Sequence, residues 1–386
     1  MGKKSSYYDV IVLGAGPVGM VAALSLCRVG LRCALIDRKD LKAESGQGRF
    51  LMLSKASVIW LQQQGLLPVP DPFWSLSQAL IVRQDCPESF RIAAQEVGLD
   101  RLGSMVHEAY LKKILLQHCL AQPLLDLLHP WTLTDLTHTL KEVTVRLQNQ
   151  QLGSQNLRAA LCIGADGQNS WVKRLCGHWS HRYDFGQQAL SFSVGYCGPE
   201  EALELFLNQG CLGVLPLSKH TAGVIWMHPQ GMTDHLKQLS PQALVKKVNH
   251  LVAPYHRRFW PKGAGGIYPL RWDRSPPVIA PRVLILGEAQ QSVHPLLGQG
   301  LNIALLQTAK SVSWIAGQHA LGRDFGVLDK KILKISDEIP YFIYAMAEGF
   351  QRSTGALNWE LFAFVAEKFP VVKNFFLKKA CYPFDF

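Results

Sequence analysis

A glycine-rich turn close to the amino terminus constrains the fold of this chain more than any other feature. Gly14–Gly19 (GAGPVG) follows the apolar run Asp9–Leu13, which is typical of a buried strand, and precedes Met20–Arg28, whose residues favour a helix. In a GxGxxG turn the first glycine permits the bend, the second lets the backbone approach a phosphate, and the third lets the helix pack on the strand. The pattern therefore predicts a β-α-β unit whose helix faces a pyrophosphate.

An acidic residue lies at the spacing that such a unit needs. Cys33–Ile36 is typical of a second buried strand, and Asp37 follows it, 23 positions after Gly14. An acid about 20 positions beyond the turn binds the ribose of a dinucleotide. Asp37 therefore favours a dinucleotide site over a merely tight strand-to-helix turn.

A second glycine-rich stretch, Gly287–Asn302, lies near the other end of the sequence. Arg282–Leu286 before it is typical of a strand, and Leu301–Ala316 after it predicts a helix. Its glycines would leave backbone amides free to approach a ligand, and Glu288 could hydrogen-bond a polyol. An ordinary strand-loop-helix turn with incidental glycines would have the same pattern.

A third motif, Gly164–Ser170 (GADGQNS), follows the predicted strand Leu157–Ile163. Asp166 either caps the next helix or accepts a hydrogen bond from a cofactor hydroxyl. Ser170 is also a typical helix cap, so an ordinary capped turn is the alternative to a binding motif.

The composition excludes several classes of protein. The 386 residues are 48% hydrophobic and carry a formal net charge of +11, but the basic residues are scattered without a nucleic-acid-binding or metal-binding pattern. The 9 cysteines form no CxxC pair, which indicates reduced thiols. No apolar run is long enough to span a bilayer. We therefore expect a cytoplasmic protein of two domains, with no nucleic-acid partner and no metal site.

The middle of the chain has the composition of an antiparallel sheet. Leu190–Tyr196, Cys211–Leu217 and Thr221–Met227 predict strands, and the sequence from Leu328 onward is mainly helical in pattern. We expect an α/β fold whose discontinuous cofactor domain carries an inserted substrate domain. The predicted boundaries are residues 1–77, 97–177 and 277–386 for the cofactor domain with its C-terminal helices, and 78–96 and 178–276 for the substrate domain.

In this order and spacing the three motifs resemble those of the class A flavin-dependent aromatic monooxygenases, and more narrowly those of the ubiquinone-biosynthesis hydroxylases. The resemblance covers most of the chain and is carried further by four stretches, Gly48–Ser57, Leu215–Leu217, Tyr268–Arg271 and His294–Asn302. It implies an FAD-binding, Rossmann-like domain of the glutathione-reductase type. It also implies an inserted antiparallel β-sheet substrate domain and a helical C-terminal end.

The resemblance implies, position by position, which residues hold FAD. The glycines of the first turn would contact the pyrophosphate, Asp37 the adenosine ribose and Arg49 the flavin phosphates and ribityl chain. The amides of Gly298–Asn302 would approach the isoalloxazine edge. The full implied set is Gly14, Ala15, Gly16, Pro17, Val18, Gly19, Asp37, Arg38, Arg49, Asp166, Glu288, Pro295, Gly298, Gln299, Gly300, Leu301 and Asn302. No side chain is assigned to catalysis; Pro295 and His294 are weak candidates, and His294 is equally well explained as a structural histidine.

The resemblance further implies the reaction. FAD would hydroxylate the aromatic ring of a polyprenylated phenol in ubiquinone biosynthesis through a flavin C4a-hydroperoxide, with NAD(P)H or another donor bound transiently and O2 as co-substrate. Two departures leave alternatives open. The family's Gly-Asp-Ala-Ala-His is Gly287–Gln291 (GEAQQ) here, and its Val-Glu-Asn is Val106–Glu108 (VHE). The alternatives are another FAD oxidoreductase, such as a soluble phenol hydroxylase or a prenyl reductase, or a non-catalytic scaffold of a biosynthetic complex.

Two groups of apolar residues, one in the middle strands and one near the C-terminal end, are candidates for contact with the substrate and with the membrane. Alternating residues of the middle strands would line a pocket for a ring with a prenyl tail, ordinary sheet core being the alternative; they are Phe192, Tyr196, Phe206, Leu212, Val214, Trp226 and Met227. Trp359–Tyr382 mixes aromatic residues with lysines, which predicts either a packed terminal helix or contact with an anionic membrane surface. The inner face of the cytoplasmic membrane is the expected location of that contact.

Overall fold

The strands at the amino-terminal end belong to a parallel sheet, as the strand-turn-helix pattern predicts. The computed structural model describes residues 7–42, 48–84, 86, 89–263, 265–295 and 298–329. The predicted C-terminal helices and Trp359–Tyr382 lie outside these residues. In the described part, the helices are α1 (Pro17–Arg28), α2 (Lys55–Gln63), α3 (Glu108–Ala121), α4 (Trp171–Leu175), α5 (Gln230–Lys237), α6 (Pro241–Val252) and α7 (Gly300–Ala320), with short 3-10 turns at Ala94–Val97, Ala253–Tyr255 and Gly287–Ala289.

The first sheet is built around the central strand β1. Its strands are β1 (Tyr7–Leu13), β2 (Cys33–Ile36), β8 (Leu125–Leu128), β9 (Thr132–His138), β10 (Val143–Asn149), β11 (Gly153–Gly164), β18 (Val278–Ala280) and β19 (Val283–Ile285). The order β18-β19-β11-β1-β2-β8 is parallel from β19 to β8, and β9 and β10 add an antiparallel extension to β11. Because α1 packs against both α3 and α7, the apolar face of this sheet is covered.

A second, mostly antiparallel sheet is formed by three separate stretches of the chain. Its strands are β5 (Gln78–Arg83), β6 (Ser89–Ala93), β12 (His181–Cys197), β13 (Ala202–Phe206), β14 (Cys211–Ser218), β15 (Thr221–Pro229), β16 (Arg258–Pro261), β17 (Gly266–Arg274) and β20 (Gln291–Ser292). The order is β20-β17-β12-β15-β14-β13-β5-β6, with β16 on β12. The expected α/β class with an antiparallel second sheet is confirmed.

A small third sheet lies between the other two. It consists of β3 (Phe50–Ser54), β7 (Gly103–His107) and β4 (Trp74–Leu76) in the order β3-β7-β4. The helical spacing of Leu111, Ile114 and Leu115 in the sequence predicts a helix over Val106–Leu120, and this predicted helix begins too early. Val106 and His107 pair with Leu51 and Phe50 in the sheet, and α3 starts only at Glu108. The pairing with β3 overrides the local helical pattern, as tertiary contacts commonly do.

The two faces of the second sheet have different neighbours. One face packs on α5 and α6 through Leu236, Val245 and Val248. The opposite face contacts β3, α7 and the loop before α7, through Met52, Ile303 and Val293. This second face, which we call the inner face, is the one turned towards the motifs described below.

The predicted pocket residues divide between these two faces. Five of them, Phe192, Tyr196, Leu212, Val214 and Trp226, pack in the core against α5 and α6, so for these five the ordinary sheet core is the correct one of the two interpretations. Phe206 and Met227 lie on the inner face. Since successive strand residues point to opposite faces, composition could not tell which set faces the ligand.

Candidate cofactor site

The three glycines of the first turn differ in what surrounds them. Gly14 has φ +105°, and a Cβ there would lie 2.4 Å from the Ala165 carbonyl oxygen. A Cβ on Gly19 would lie 1.9 Å from the Gly14 carbonyl oxygen. Gly16, in contrast, has nothing within 4 Å of the Cβ position. The outer glycines are required by packing, whereas Gly16 leaves open space at the start of α1, where a phosphate could approach the backbone.

The helices that follow the two glycine-rich stretches begin without a side-chain cap. Among the described helices, α2, α4 and α6 begin at a serine whose hydroxyl accepts a backbone N–H, and His107 caps α3. α1 begins at Gly16 and α7 at Gln299, neither of which caps. Because the first amides of a helix have no intrahelical acceptor, both ends present N–H donors and a positive dipole. Such ends suit a phosphate or a carbonyl-rich ring.

Asp37 holds the first turn in place. Its Oδ2 accepts the Ala15 N–H at 2.7 Å, and its Oδ1 accepts the Lys39 N–H at 2.8 Å. It directly follows β2, so it lies at the carboxyl edge of the parallel sheet, where ligands of such folds bind. Arg38 is exposed beside it.

Asp166 lies directly against the first turn. A Cβ on Gly14 would be 2.8 Å from the Asp166 Cα. Its Oδ2 caps α4 by accepting the amides of Trp171 at 2.7 Å and Val172 at 3.2 Å, whereas its Oδ1 is buried and has no hydrogen-bond partner among the described residues. Burial raises the pKa of this carboxyl above its usual value. Asp166 is therefore a cap that keeps one acceptor for a ligand hydroxyl, so the two sequence interpretations are compatible.

The second glycine-rich stretch is packed onto the first. A Cβ on Gly287 would lie 3.2 Å from Val18, and the Gly287 N–H donates to Gln307 Oε1 of α7 at 3.3 Å. The Gly298 N–H donates to the Pro295 carbonyl at 2.8 Å. The turn therefore holds the beginning of α7 beside the beginning of α1.

Asn302 fixes this arrangement with its side chain. Its Oδ1 accepts the Ser54 N–H at 2.8 Å and the Ser57 hydroxyl at 2.9 Å, and its amide donates to the Met52 carbonyl at 2.9 Å. The residue is fully buried. Because all these partners belong to β3 and α2, the Asn302 side chain positions α7 against them.

Arg49 is held by two carboxylates. Its Nε lies 3.1 Å from Glu108 Oε2, and its Nη1 lies 2.5 Å from Glu288 Oε1. Burial alone would raise the pKa of Glu108, but the charges of Arg49 and Lys112, with their hydrogen bonds, lower that pKa to about 2. Both glutamates are departures from the family pattern. They converge on one arginine, so they form a single ion cluster and not two unrelated changes.

Two polar residues of the second glycine-rich stretch, Gln290 and His294, are buried. His294 is 5% exposed; its ring meets Phe185 edge-on at 4.9 Å, and its Nε2 lies 3.3 Å from Gln187 Oε1. Burial lowers the pKa of His294 to about 4, which leaves the ring neutral near pH 7. Pro295 is partly exposed next to it. Gln290, another departure from the family pattern, has a buried Oε1 with no partner among the described residues.

A buried ion cluster that the sequence did not reveal connects Asp166's helix to the second sheet. Asp273 of β17 is fully buried and lies 3.1 Å from Lys173 Nζ of α4 and 3.0 Å from Arg182 Nη2 of β12. Lys173 is thus committed to Asp273 and does not face the open end of α1. The partners are 100 and 91 positions from Asp273, so no local pattern could indicate them.

The geometry fits an extended ligand with two phosphates. Gly16 leaves room at an uncapped helix start, the orphaned Asp166 Oδ1 can accept a hydroxyl, and α7 offers further amides. Gly16 and Asp166 lie at the Gly14–Gly19 turn, and Gly287, at the start of the second glycine-rich stretch, packs on Val18 of the same turn. The shape of the site therefore agrees with FAD.

Comparison with known proteins gives the same result. The model of the family described as FAD binding domain matches residues 7–322. The chain is 28% identical over 341 residues to ubiquinone hydroxylase UbiL of Rhodospirillum rubrum, covering 84% of this chain and 76% of the relative. It is 26% identical over 317 residues to 3-demethoxyubiquinol 3-hydroxylase of Escherichia coli, covering 76% of each chain.

The fold is shared with solved structures as well. p-Nitrophenol 4-monooxygenase of Pseudomonas putida superposes with a TM-score of 0.75 at 15% sequence identity, over 97% of this chain and 98% of that one. At this identity the likeness concerns the fold alone.

Proposed function

Because this chain belongs to the FAD-binding domain family of flavin-dependent monooxygenases, we propose that it hydroxylates the aromatic ring of a polyprenylated phenol or quinol in ubiquinone biosynthesis. The cofactor is FAD. The observation that supports the proposal is the cradle formed by the Gly14–Gly19 turn, where nothing lies within 4 Å of the Gly16 Cβ position at the uncapped start of α1 and the adjoining Asp166 has an Oδ1 without a partner among the described residues. The names of the relatives supply the substrate class.

The side chains of the cradle have distinct tasks in this proposal. The α1 start and Gly16 hold the pyrophosphate, Asp37 and Asp166 accept hydroxyls, and the α7 start meets the flavin ring. When bound, FAD supplies the transfer of electrons from NAD(P)H to O2 and of one oxygen atom to the ring. The protein positions the aromatic ring and excludes water.

The inner face of the second sheet supports an apolar substrate. Leu215 and Ile225 lie on this face and remain partly exposed, although the sheet around them is buried. Met52 packs beside Leu215 and also lies 3.5 Å from the Cβ position of Gly298. A ring placed there would lie between the sheet and the start of α7, with apolar side chains around its tail.

A direct assay tests the function. The purified full chain is expected to be yellow with a flavin spectrum, and to consume NAD(P)H and O2 when 2-geranylphenol is added. The product should gain one oxygen atom, traceable with labelled O2. NAD(P)H oxidation without a hydroxylated product would favour another flavin oxidoreductase. A colourless protein that FAD cannot reconstitute would favour a non-catalytic scaffold, and either result would contradict the proposal.

We also propose contact with the inner surface of the cytoplasmic membrane, next to other enzymes of the pathway. A polyprenyl tail places the substrate in the bilayer, and Trp359–Tyr382 combines aromatic residues with lysines. No helix among the described residues is long and apolar enough to cross a bilayer. The full chain should float with anionic liposomes, whereas a chain ending before Trp359 should not. Equal flotation of the two would remove the C-terminal segment from the proposal.

A further inference from the structure

A single carboxylate interrupts the inner face of the second sheet. Glu204 lies in β13 between Ala202 and Phe206, whose side chains share its face. Ala202 packs with the cluster that contains Met52, and Phe206 packs with the cluster that contains Ile303. Glu204 is thus placed between the two points at which this face meets β3 and α7.

No basic group among the described residues neutralises this carboxylate. Its Oε1 accepts a hydrogen bond from the Cys211 thiol at 3.3 Å, and no salt bridge to it is present in the described chain. Glu201, three positions earlier, is in contrast held by Arg91 at 2.9 Å and by Arg257 at 3.7 Å. A carboxylate on an apolar face without a cation is costly, which indicates a functional reason for it.

The position opposite the carboxylate on β14 carries no side chain. Gly213 is paired with Glu204 across the sheet, and a Cβ there would still lie 3.6 Å from Glu204 Oε2. Glu204 lies on the inner face, and its side chain is partly exposed. Its Oε2 therefore borders the same region as the partly exposed Leu215 and Ile225.

The surroundings of Glu204 raise the pKa of its carboxyl towards neutral pH. Burial raises the pKa of its carboxyl to about 7, partly offset by the hydrogen bond from Cys211. Cys211 is the titratable group that faces it from β14, and burial raises the pKa of that thiol, so it stays protonated. β5 presents Ile81 opposite Glu204 and, two residues further on the same face, Arg83 opposite Phe206, whereas Ile225 of β15 lies beyond Gly213. A base whose pKa is near the working pH is the most effective one.

We propose that Glu204 is the catalytic base that takes the proton of the substrate's phenolic hydroxyl while the ring is hydroxylated. This rests on the proposed function. The O–H bond of the phenol breaks, its proton passes to the Glu204 carboxylate, and the electron pair remains on the phenolic oxygen, which makes the ring more nucleophilic. One atom of O2 enters the ring and the other leaves as water, with NAD(P)H oxidised. The ring carbon then loses its hydrogen as a proton to solvent, and Glu204 returns its proton to the phenolate oxygen.

The test compares Glu204→Gln with the wild-type chain on 2-geranylphenol and on its methyl ether. Glu204→Gln should keep the flavin spectrum and KM but lower kcat on the phenol by about 100-fold, the lower end of general-base effects. The wild-type kcat should rise with pH through about 7, because only the ionised carboxylate accepts a proton, and this rise should vanish in the variant. The methyl ether has no proton to lose, so both chains should turn it over equally slowly.

Glu200→Gln is the matched control, since Glu200 is exposed in the link between β12 and β13, two positions before β13 begins, and should behave as wild type. Unchanged kcat and pH dependence in Glu204→Gln, with an active wild type, would overturn the role of Glu204 alone. An equal loss on the phenol and the methyl ether would show a structural role and overturn it too. A wild-type chain that hydroxylates neither compound would overturn the proposed function as well. If Glu204→Gln fails to fold, Glu204→Asp should fold and retain the rise of kcat with pH.

Discussion

Replacing Gly16 with valine should abolish tight FAD binding without unfolding the protein. The Cβ position of Gly16 has no protein atom within 4 Å, so the side chain meets no steric conflict in the chain itself. Its φ of −75° and ψ of 176° are also acceptable for valine. The added methyl groups would occupy the space in which the pyrophosphate approaches the backbone. We expect the Kd for FAD to rise at least about 100-fold, or about 2.8 kcal/mol, measured by flavin fluorescence titration.

Two variants make this result interpretable. Gly231→Val places the same side chain at another glycine with nothing within 4 Å, on α5, and should bind FAD normally. Gly19→Val should instead fail to fold, because its Cβ would lie 1.9 Å from the Gly14 carbonyl oxygen. Normal FAD affinity in a folded Gly16→Val protein would show that the phosphates bind elsewhere.

Removing the carboxylate of Asp273 should strongly lower the stability of the fold. Asp273 is fully buried, and Lys173 Nζ at 3.1 Å belongs to a side chain that is 6% exposed. Asp273→Ala would leave the Lys173 ammonium buried without a counter-ion, with Arg182 retained at the edge. Breaking a buried pair in this way costs about 3–5 kcal/mol. We expect the free energy of unfolding in urea to fall by about that amount.

Asp184→Ala is the matched control for charge removal. Its ion pair with Arg271 also measures 3.0 Å, but the Asp184 and Arg271 side chains are 53% and 30% exposed. Exposed pairs contribute about 0–1 kcal/mol, so the urea midpoint should move little. Equal losses in the two variants would contradict the assignment of the Lys173–Asp273 pair as a structural link.

Local signals in the sequence predicted much of the cofactor side of the fold. Cys33–Ile36 is a strand with the predicted bounds. The sequence also predicts a helix that begins after Ser54 and stops at Gly65. In the structure Ser54 caps α2, and Gly65 follows that helix with φ +61°. Each of these depends on neighbours within a few positions, so the sequence carries it directly. The helix predicted from Val106 failed because the pairing of β7 with β3 joins residues far apart in the chain.

Some features of the site could likewise be predicted from local motifs, and others depend on contacts between distant parts of the chain. The motifs indicated Gly14, Asp37, Asp166 and Gly298–Asn302 from their spacing, and the structure places Asp37 and Asp166 directly against the first glycine-rich turn. It also shows that Arg49 is shared by Glu108 and Glu288, 59 and 239 positions away. That cluster gives the two departures from the family pattern one physical explanation, which neither departure suggested when considered alone.

The amino-acid sequence by itself therefore determined the two glycine-rich turns, the acids near them and the likeness to an FAD-binding family, because these depend on backbone conformation over short distances. The tertiary structure decided which face of the second sheet meets the cofactor side, and thereby that Glu204 lies on the inner face while Phe192 and Trp226 lie in the core against α5 and α6. A strand presents alternate residues to its two sides. Which side faces the ligand is settled only when the sheet packs against its neighbours.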